Sequence, residues 1–346
     1  MKLLKYAFVA GSVALLAACG GNSSIGTPTP VTSAPSVPSV PSGTVTRFVG
    51  TPRVFGAADG MGAAASFGTL GGGLATDSSG NIYVADWSNY TIRKITPAGL
   101  VTTLAGTPAE YGADDGIGAA ARFSSPTTVA VDSSGNVYVG DGGATRKITA
   151  AGVVTTLGTY GSVVADPSGN LYFFKDNAIQ KYTGGVVTTL AGTVNASGSR
   201  DGTGATARFG PSGAITIDSM GNNIFVSDNM TIRRITSAGE VTTLAGTAGE
   251  QDMTDGTGAA ARFHGVAGMA VDSRGNVYVS EMTYTNIRKI TSAGVVTTLA
   301  GSPFGFGGED GIGAAAQFFT PFGVTIDSSG NILVFDRTGG IRKIAP

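Results

Sequence analysis

One histidine, His264, and one cysteine, Cys19, stand in 346 residues, so side-chain chemistry in this chain falls mainly to carboxylates. Zinc is held by several His, Cys or acidic ligands. A lone His, with no Cys beyond residue 19, excludes both a His cluster and a His/Cys zinc centre. His264, in "RFHGVAG", takes a position where other parts of the chain have Ser124, Gly210 or Phe319, and it reads as a structural loop residue.

The carboxylates fall into two regular sets. Asp59, Asp115, Asp201, Asp255 and Asp310 each precede a glycine and a stretch such as "GAAARF". Calcium takes about six to eight oxygens, commonly from an Asp-x-Asp-x-Asp-Gly ladder, and that ladder is missing. These aspartates read instead as N-caps on a single helical turn. The second set, Asp86, Asp141, Asp228, Glu281 and Asp336, closes strand-like runs. It is expected to form structural ion pairs with Arg122, Arg208 and Arg262.

The elements that position these sets repeat. "VTTLAG" occurs at 101–106, 187–192, 241–246 and 296–301, with near copies "VTTLGT" at 154–159 and "VTRFVG" at 45–50. Five of the six units are about 55 residues apart, and the third is short. Each unit has four strand signals, in unit 5 "GMAVD", "NVYVSE", "NIRKIT" and "VVTTLAG". A turn of the "DSRGN" kind, built from hairpin-forming residues, joins the first two. Repeats of this length with four strands are propeller blades. The last unit stops after its third strand, "GIRKIAP", while a spare fourth strand, "VTRFVG", opens the domain. The expected fold is therefore all-β: a six-bladed β-propeller of four-stranded blades over 45–346, with the N-terminal strand completing the last blade and leaving no long open edge.

"LAGT…DGIGAAARFSSPTTVAVDSSGNVYVGD" (104–141) and its relatives resemble the extended NHL repeat across all six units. Five units share "DG-x-G-x-x-A-x-F". No unit spells Asn-His-Leu, and the nearest are "NYT" (89–91) and "NMT" (229–231). The resemblance implies the six-bladed class, which includes calcium-dependent hydrolases, lactonases, metal- or histidine-dependent lyases and nucleic-acid binders.

Against an enzyme, the stretches leading into the channel, 60–76, 116–131, 158–165, 202–217, 256–271 and 311–326, contain no Asp or Glu. A wall of Gly, Ala, Val, Thr and Phe offers no carboxylate to a metal or a developing charge. No cofactor is expected. A channel-site hydrolase or lactonase, using backbone carbonyls and the Asp86-type acids, is the alternative. Against nucleic acid, the "RK" and "RR" pairs sit within third strands, where neighbours point to opposite faces.

The remaining reading is a binding or scaffold module that uses its rim for protein or glycan. Unit 3 lacks the inserted loop of about twenty residues, because "LGTYGSVVAD" (157–166) runs directly on. The loops are expected to crown one face, with a notch over blade 3 lined by Tyr160, Phe174 and Lys175, the last replacing the usual acid. Trp87, Tyr111, Tyr284, Phe304 and Phe306 are further rim candidates.

Residues 1–19, with Lys2 and Lys5 before a short apolar run, have the form of a secretory signal. They end in "LAAC", which resembles the bacterial lipobox, with cleavage before Cys19 and a lipid on it. Gly20 and Gly21 favour outer-membrane attachment, facing the periplasm or the cell surface. Residues 20–44, rich in Pro, Ser and Thr, read as a tether. Without the signal, 20 basic residues face 23 acidic ones, which is no electrostatic footprint for nucleic acid.

Overall fold

The computed structural model describes residues 40–346 apart from Phe304. The signal, Cys19, most of the tether and Phe304 lie outside the described residues. Six antiparallel sheets form six blades, each running from an innermost first strand to an outermost fourth. In blade 1 the four are Leu74–Thr76, Ile82–Asp86, Thr91–Ile95 and Leu100–Ala105. Alternation of β-branched residues buries both faces of the second and third strands, and Val84, Ile92 and Ile95 are fully enclosed.

The ring closes as the strand count requires. Thr44–Gly50 pairs antiparallel with Gly340–Ile344, the third strand of blade 6, through Val45↔Ile344 and Gly50↔Gly340. Val49 of this N-terminal strand packs with Phe335 and Ile341 of blade 6 and Leu74 and Ile82 of blade 1. Around the channel, innermost strands approach without a ladder, and glycine permits it. A Cβ on Gly323 would lie 2.4 Å from the Gly72 carbonyl, and one on Gly268 would lie 2.3 Å from that of Phe322.

The inserted loops depart from the expected crown. In the loop from blade 6 to blade 1, Gly60–Met61 descends along the outer wall and pairs with Val101 and Leu100 as a fifth strand. A 3-10 turn, Gly62–Ala64, follows, and the Gly62 N–H donates to the Gly99 carbonyl at the opposite end of the blade. The chain then returns through buried Phe67 to Gly68, whose N–H meets Asp86. Five blades are wrapped in this way. Blade 3 keeps four strands, so its missing loop opens its outer edge and does not notch a crown.

The same geometry corrects the capping assignment. The N-caps of the 3-10 turns are Met61, Ile117, Thr203, Thr257 and Ile312, and no acid lies in any first turn. Because Gly60 and its equivalents are strand residues, the preceding aspartate is held two residues short of the turn, out along the blade edge.

Candidate functional site

Each wrapped blade is closed by a fully buried arginine on its third strand: Arg93, Arg146, Arg233, Arg288 or Arg342. Arg93 uses four of its N–H directions. Nη1 donates to Asp86 (3.0 Å) and the Ser66 carbonyl (3.1 Å), and Nη2 to Asp59 (2.7 Å) and the Ala58 carbonyl (2.9 Å). Its guanidinium lies 5.2 Å from the Phe67 ring centroid. Asp59 also accepts from the N–H and Oγ1 of Thr103. One cation thus ties the second, third and fourth strands to the loop.

The Asp86-type acids therefore pair with arginines of their own blades and not with Arg122, Arg208 and Arg262, as the sequence suggested. Arg122 and Arg262 pair instead with Glu110 and Glu250 of their loops, and Arg208 donates to loop carbonyls. The "RK" pairs do split across the sheet: Arg93 is buried, while Lys94 lies over the Tyr83 ring on the other face. Burial pushes the carboxyls of Asp86, Asp228, Glu281 and Asp336 upward, opposed by backbone N–H donors and the arginine. None of these acids lines the channel cavities described next.

The channel holds two cavities, of about 540 and 320 Å³. Their walls are largely aliphatic, with Leu74, Val129, Val164, Ile215, Met269 and Val324 common to both. At the mouth of the larger cavity, Asp77, Asp132, Asp218 and Asp327 end the first strands. Sequence reasoning passed over these aspartates as turn residues, and their bonding agrees with that role. Asp77 accepts from the N–H groups of Ser79 and Asn81, from Asn81 Nδ2 and from the Tyr83 hydroxyl. Asp132 and Asp166 are bonded in the same way. Among the described residues, no group of three or more His, Cys, Asp or Glu is placed to hold a metal.

The rim candidates are dispersed. Tyr160 is half-buried, stacked at 4.9 Å on Phe173 and 5.3 Å from Tyr182. It fills the slot that Phe67 and its equivalents fill elsewhere. Phe174 faces away from it, edge-on to Phe209 at 5.9 Å. Lys175 is exposed, its Nζ 3.3 Å from the Thr159 carbonyl. Trp87 begins a short turn, Trp87–Asn89. Tyr284 packs edge-on against His264, whose backbone N–H donates to Glu281.

Tyr111 and Phe306 are 70% and 58% exposed, and Tyr111 meets Tyr90 edge-on. They belong to a pattern that repeats from loop to loop. Tyr111, Phe306 and Phe55 hold one loop position, each bridged to the buried phenylalanine of its loop. Immediately before the 3-10 turn, the same three loops present Met61, Ile117 and Ile312, all more than half exposed. The loops of blades 4 and 5 carry Ser197 and Gln251, then Thr203 and Thr257. Blades 6, 1 and 2 are consecutive in the ring, so these two loop positions form a continuous apolar sector of the outer wall.

The architecture is shared with solved structures. Two auxiliary nutrient binding proteins, from Bacteroides thetaiotaomicron and Bacteroides ovatus, align with TM-scores of 0.67 and 0.66 at 19% and 18% identity. The alignments cover 87% and 88% of this chain and 76% of each of theirs. A gluconolactonase from Xanthomonas campestris aligns with a TM-score of 0.55 at 13% identity, over 89% of this chain and 99% of that one. At these identities the likeness is one of fold. No family model matches the chain, and no curated protein matches it.

Proposed function

We propose that this chain is an NHL-type propeller serving as a binding or scaffold module of the cell envelope, lipid-anchored through Cys19 at the outer membrane. Its partners are protein or glycan and not nucleic acid, it carries no cofactor, and contact is made by the outer wall. One observation carries the reading: in three adjacent blades two loop positions turn apolar together, leaving Phe55, Tyr111 and Phe306 45–70% exposed. Exposed aromatic side chains on rigid loops provide contact area at low entropic cost. The nutrient-binding neighbours support a binding role. The aliphatic channel and the turn-bound aspartates at its mouth do not favour catalysis there.

The test is site-specific photo-cross-linking in cells, from position 111 or 306 and from the polar counterpart, position 197. Adducts from 111 and 306 but not from 197 are expected, and changing Phe55, Tyr111 and Phe306 together to Ser should abolish partner retention without changing the melting temperature. Equal labelling from all three positions would overturn the proposal. Separately, fatty-acid labelling should disappear in Cys19→Ser.

A further inference from the structure

The open edge of blade 3 is paired with its own control inside the molecule. Its outer strand, Val186–Gly192, reads VVTTLAG, and so does the outer strand of blade 5, Val295–Gly301. In blade 5 the edge is occupied. Gly256–Thr257 pairs with Val296 and Val295, and Asp255 accepts from the Thr298 N–H at 3.0 Å and from its Oγ1 at 3.2 Å. In blade 3 the same heptapeptide has no fifth strand among the described residues. Val187 is 39% exposed, whereas Val296 is 1% exposed, and Thr189, the counterpart of Thr298, is exposed.

We propose that this edge receives an extended, aspartate-bearing segment of a partner protein, added as a fifth strand. The proposal rests on the binding-module reading and specifies the chemistry of one partner. Such strand addition draws affinity from main-chain bonds and specificity from the side chains that alternate along them. The chain itself shows the required ligand in its five wrapped blades: in four an Asp accepts from the threonine N–H and hydroxyl, in blade 6 Asp310 accepts from the Arg47 N–H, and in each Gly and one more residue follow in the ladder.

Charge favours the same occupant. In blade 5 the face beneath the threonine holds Arg288, already paired with Glu281 and Asp255. In blade 3 the arginine is replaced by Gln180, which pairs with Phe173 and Thr189, and the acid by Lys175. By strand alternation Lys175, Gln180 and Thr189 share one face, which carries no carboxylate. An incoming Asp would meet donors and a cation. A second copy of this chain fits less well, because its own VVTTL edge brings no acid and its five Asp-Gly segments are engaged. The edge also lacks the charge or proline that usually blunts an exposed strand.

The test uses the full chain and a fluorescent peptide copying residues 113–123, ADDGIGAAARF, read by anisotropy. Saturable one-to-one binding is expected. It should weaken at least tenfold when the peptide's second Asp becomes Asn, and likewise in Lys175→Glu and in Thr189→Pro, which removes the outward N–H while sparing the inward ladder. Val187→Lys, at an already exposed position, provides a second variant that should fold and fail to bind. Absence of saturable binding, or equal affinity for the Asn peptide, would overturn the proposal. So would self-association that Thr189→Pro abolishes, since it would give the edge to a second copy. Cross-links from position 111 persisting while the peptide fails would sink this inference alone and leave the apolar-sector reading intact.

Discussion

Arg93→Met tests whether the buried arginine is the fastener of a wrapped blade. The side chains of Arg93 and Asp86 are both 0% exposed, 3.0 Å apart, while Asp59 is 48% exposed. Removing one partner of a buried pair costs about 3–5 kcal/mol, because the other charge stays desolvated. A half-exposed partner is worth about 0–1 kcal/mol. After the substitution Asp86 keeps Gly68 N–H and Asn89 Nδ2, but the Ser66 carbonyl loses its arginine donor and the Ala58 carbonyl keeps only the Ser66 N–H. Burial already raises Asp86, and without the cation it rises further. The native variant then holds a proton that the unfolded chain has released. Its deficit should therefore be small in acid and grow as pH rises above the ordinary carboxylate value. Urea unfolding, with two probes to check two-state behaviour, should rank Arg93→Met well below Asp59→Asn in stability. Arg93→Met with Asp86→Leu should lose less than the two single changes summed. A cost under about 1 kcal/mol for Arg93→Met, or an Asp59→Asn cost equal to it, would refute the clasp.

Gly323→Ala should destabilise by about 1–3 kcal/mol through overpacking against the Gly72 carbonyl; an unchanged melt would mean that the innermost strands are not held this close. A chain beginning at residue 52 lacks the outer strand of blade 6, with Val45 and Val49 each 1% exposed. It should lose its cooperative melt and become protease-sensitive, and a wild-type melt would disprove closure by that strand. Burial, with Asp77 and Asp272 as neighbours, pushes the Tyr83 and Tyr278 hydroxyls from 10.0 up to about 12. Their contribution is complete below the unfolded value and lost as pH rises towards about 12. Tyrosinate absorbance should therefore lag in the native protein, and urea stability should fall across that window; ionisation of both near 10 in folded protein would contradict the turn geometry. Chelator, calcium, magnesium or zinc should leave the melt unchanged, whereas a specific site at a hundredfold excess over its Kd would add about 2.7 kcal/mol.

The ring was legible because its evidence is local and repeated: Asp-x-x-Gly-Asn turns mark first hairpins, and a missing fourth strand at the C-terminus matches a spare one at Val45. The loop path was not, because spacing gives a length and no direction. Twenty residues could crown a face or descend a wall, and the descent is decided by the pairing of Gly60–Met61 with Leu100 and Val101. The capping assignment failed at the same place, since the two strand residues between Asp59 and the turn remove the aspartate from cap geometry. The choice of arginine partner failed for another reason. Arg93 and Arg122 are equally plausible by composition, and only the cross-strand register sets Arg93 beside Val84 and within reach of Asp86.

Unit 3 shows how far these parts depend on one another. The loop, the third-strand arginine and the second-strand acid are all absent from it together, and a tyrosine occupies the slot of the loop phenylalanine. The losses are physically linked. A buried arginine without its loop carboxylate and loop carbonyls would lose three of the four hydrogen bonds that Arg93 makes, and a buried acid without the arginine would be worse still. Gln180 and exposed Lys175 relieve both problems, and Tyr160 restores packing against Phe173. What unit 3 has not changed is the edge itself: VVTTLAG still matches the heptapeptide that blade 5 keeps covered. The stability problem was therefore solved underneath the edge, leaving a strand that no fifth strand covers among the described residues and whose threonine face carries Lys175.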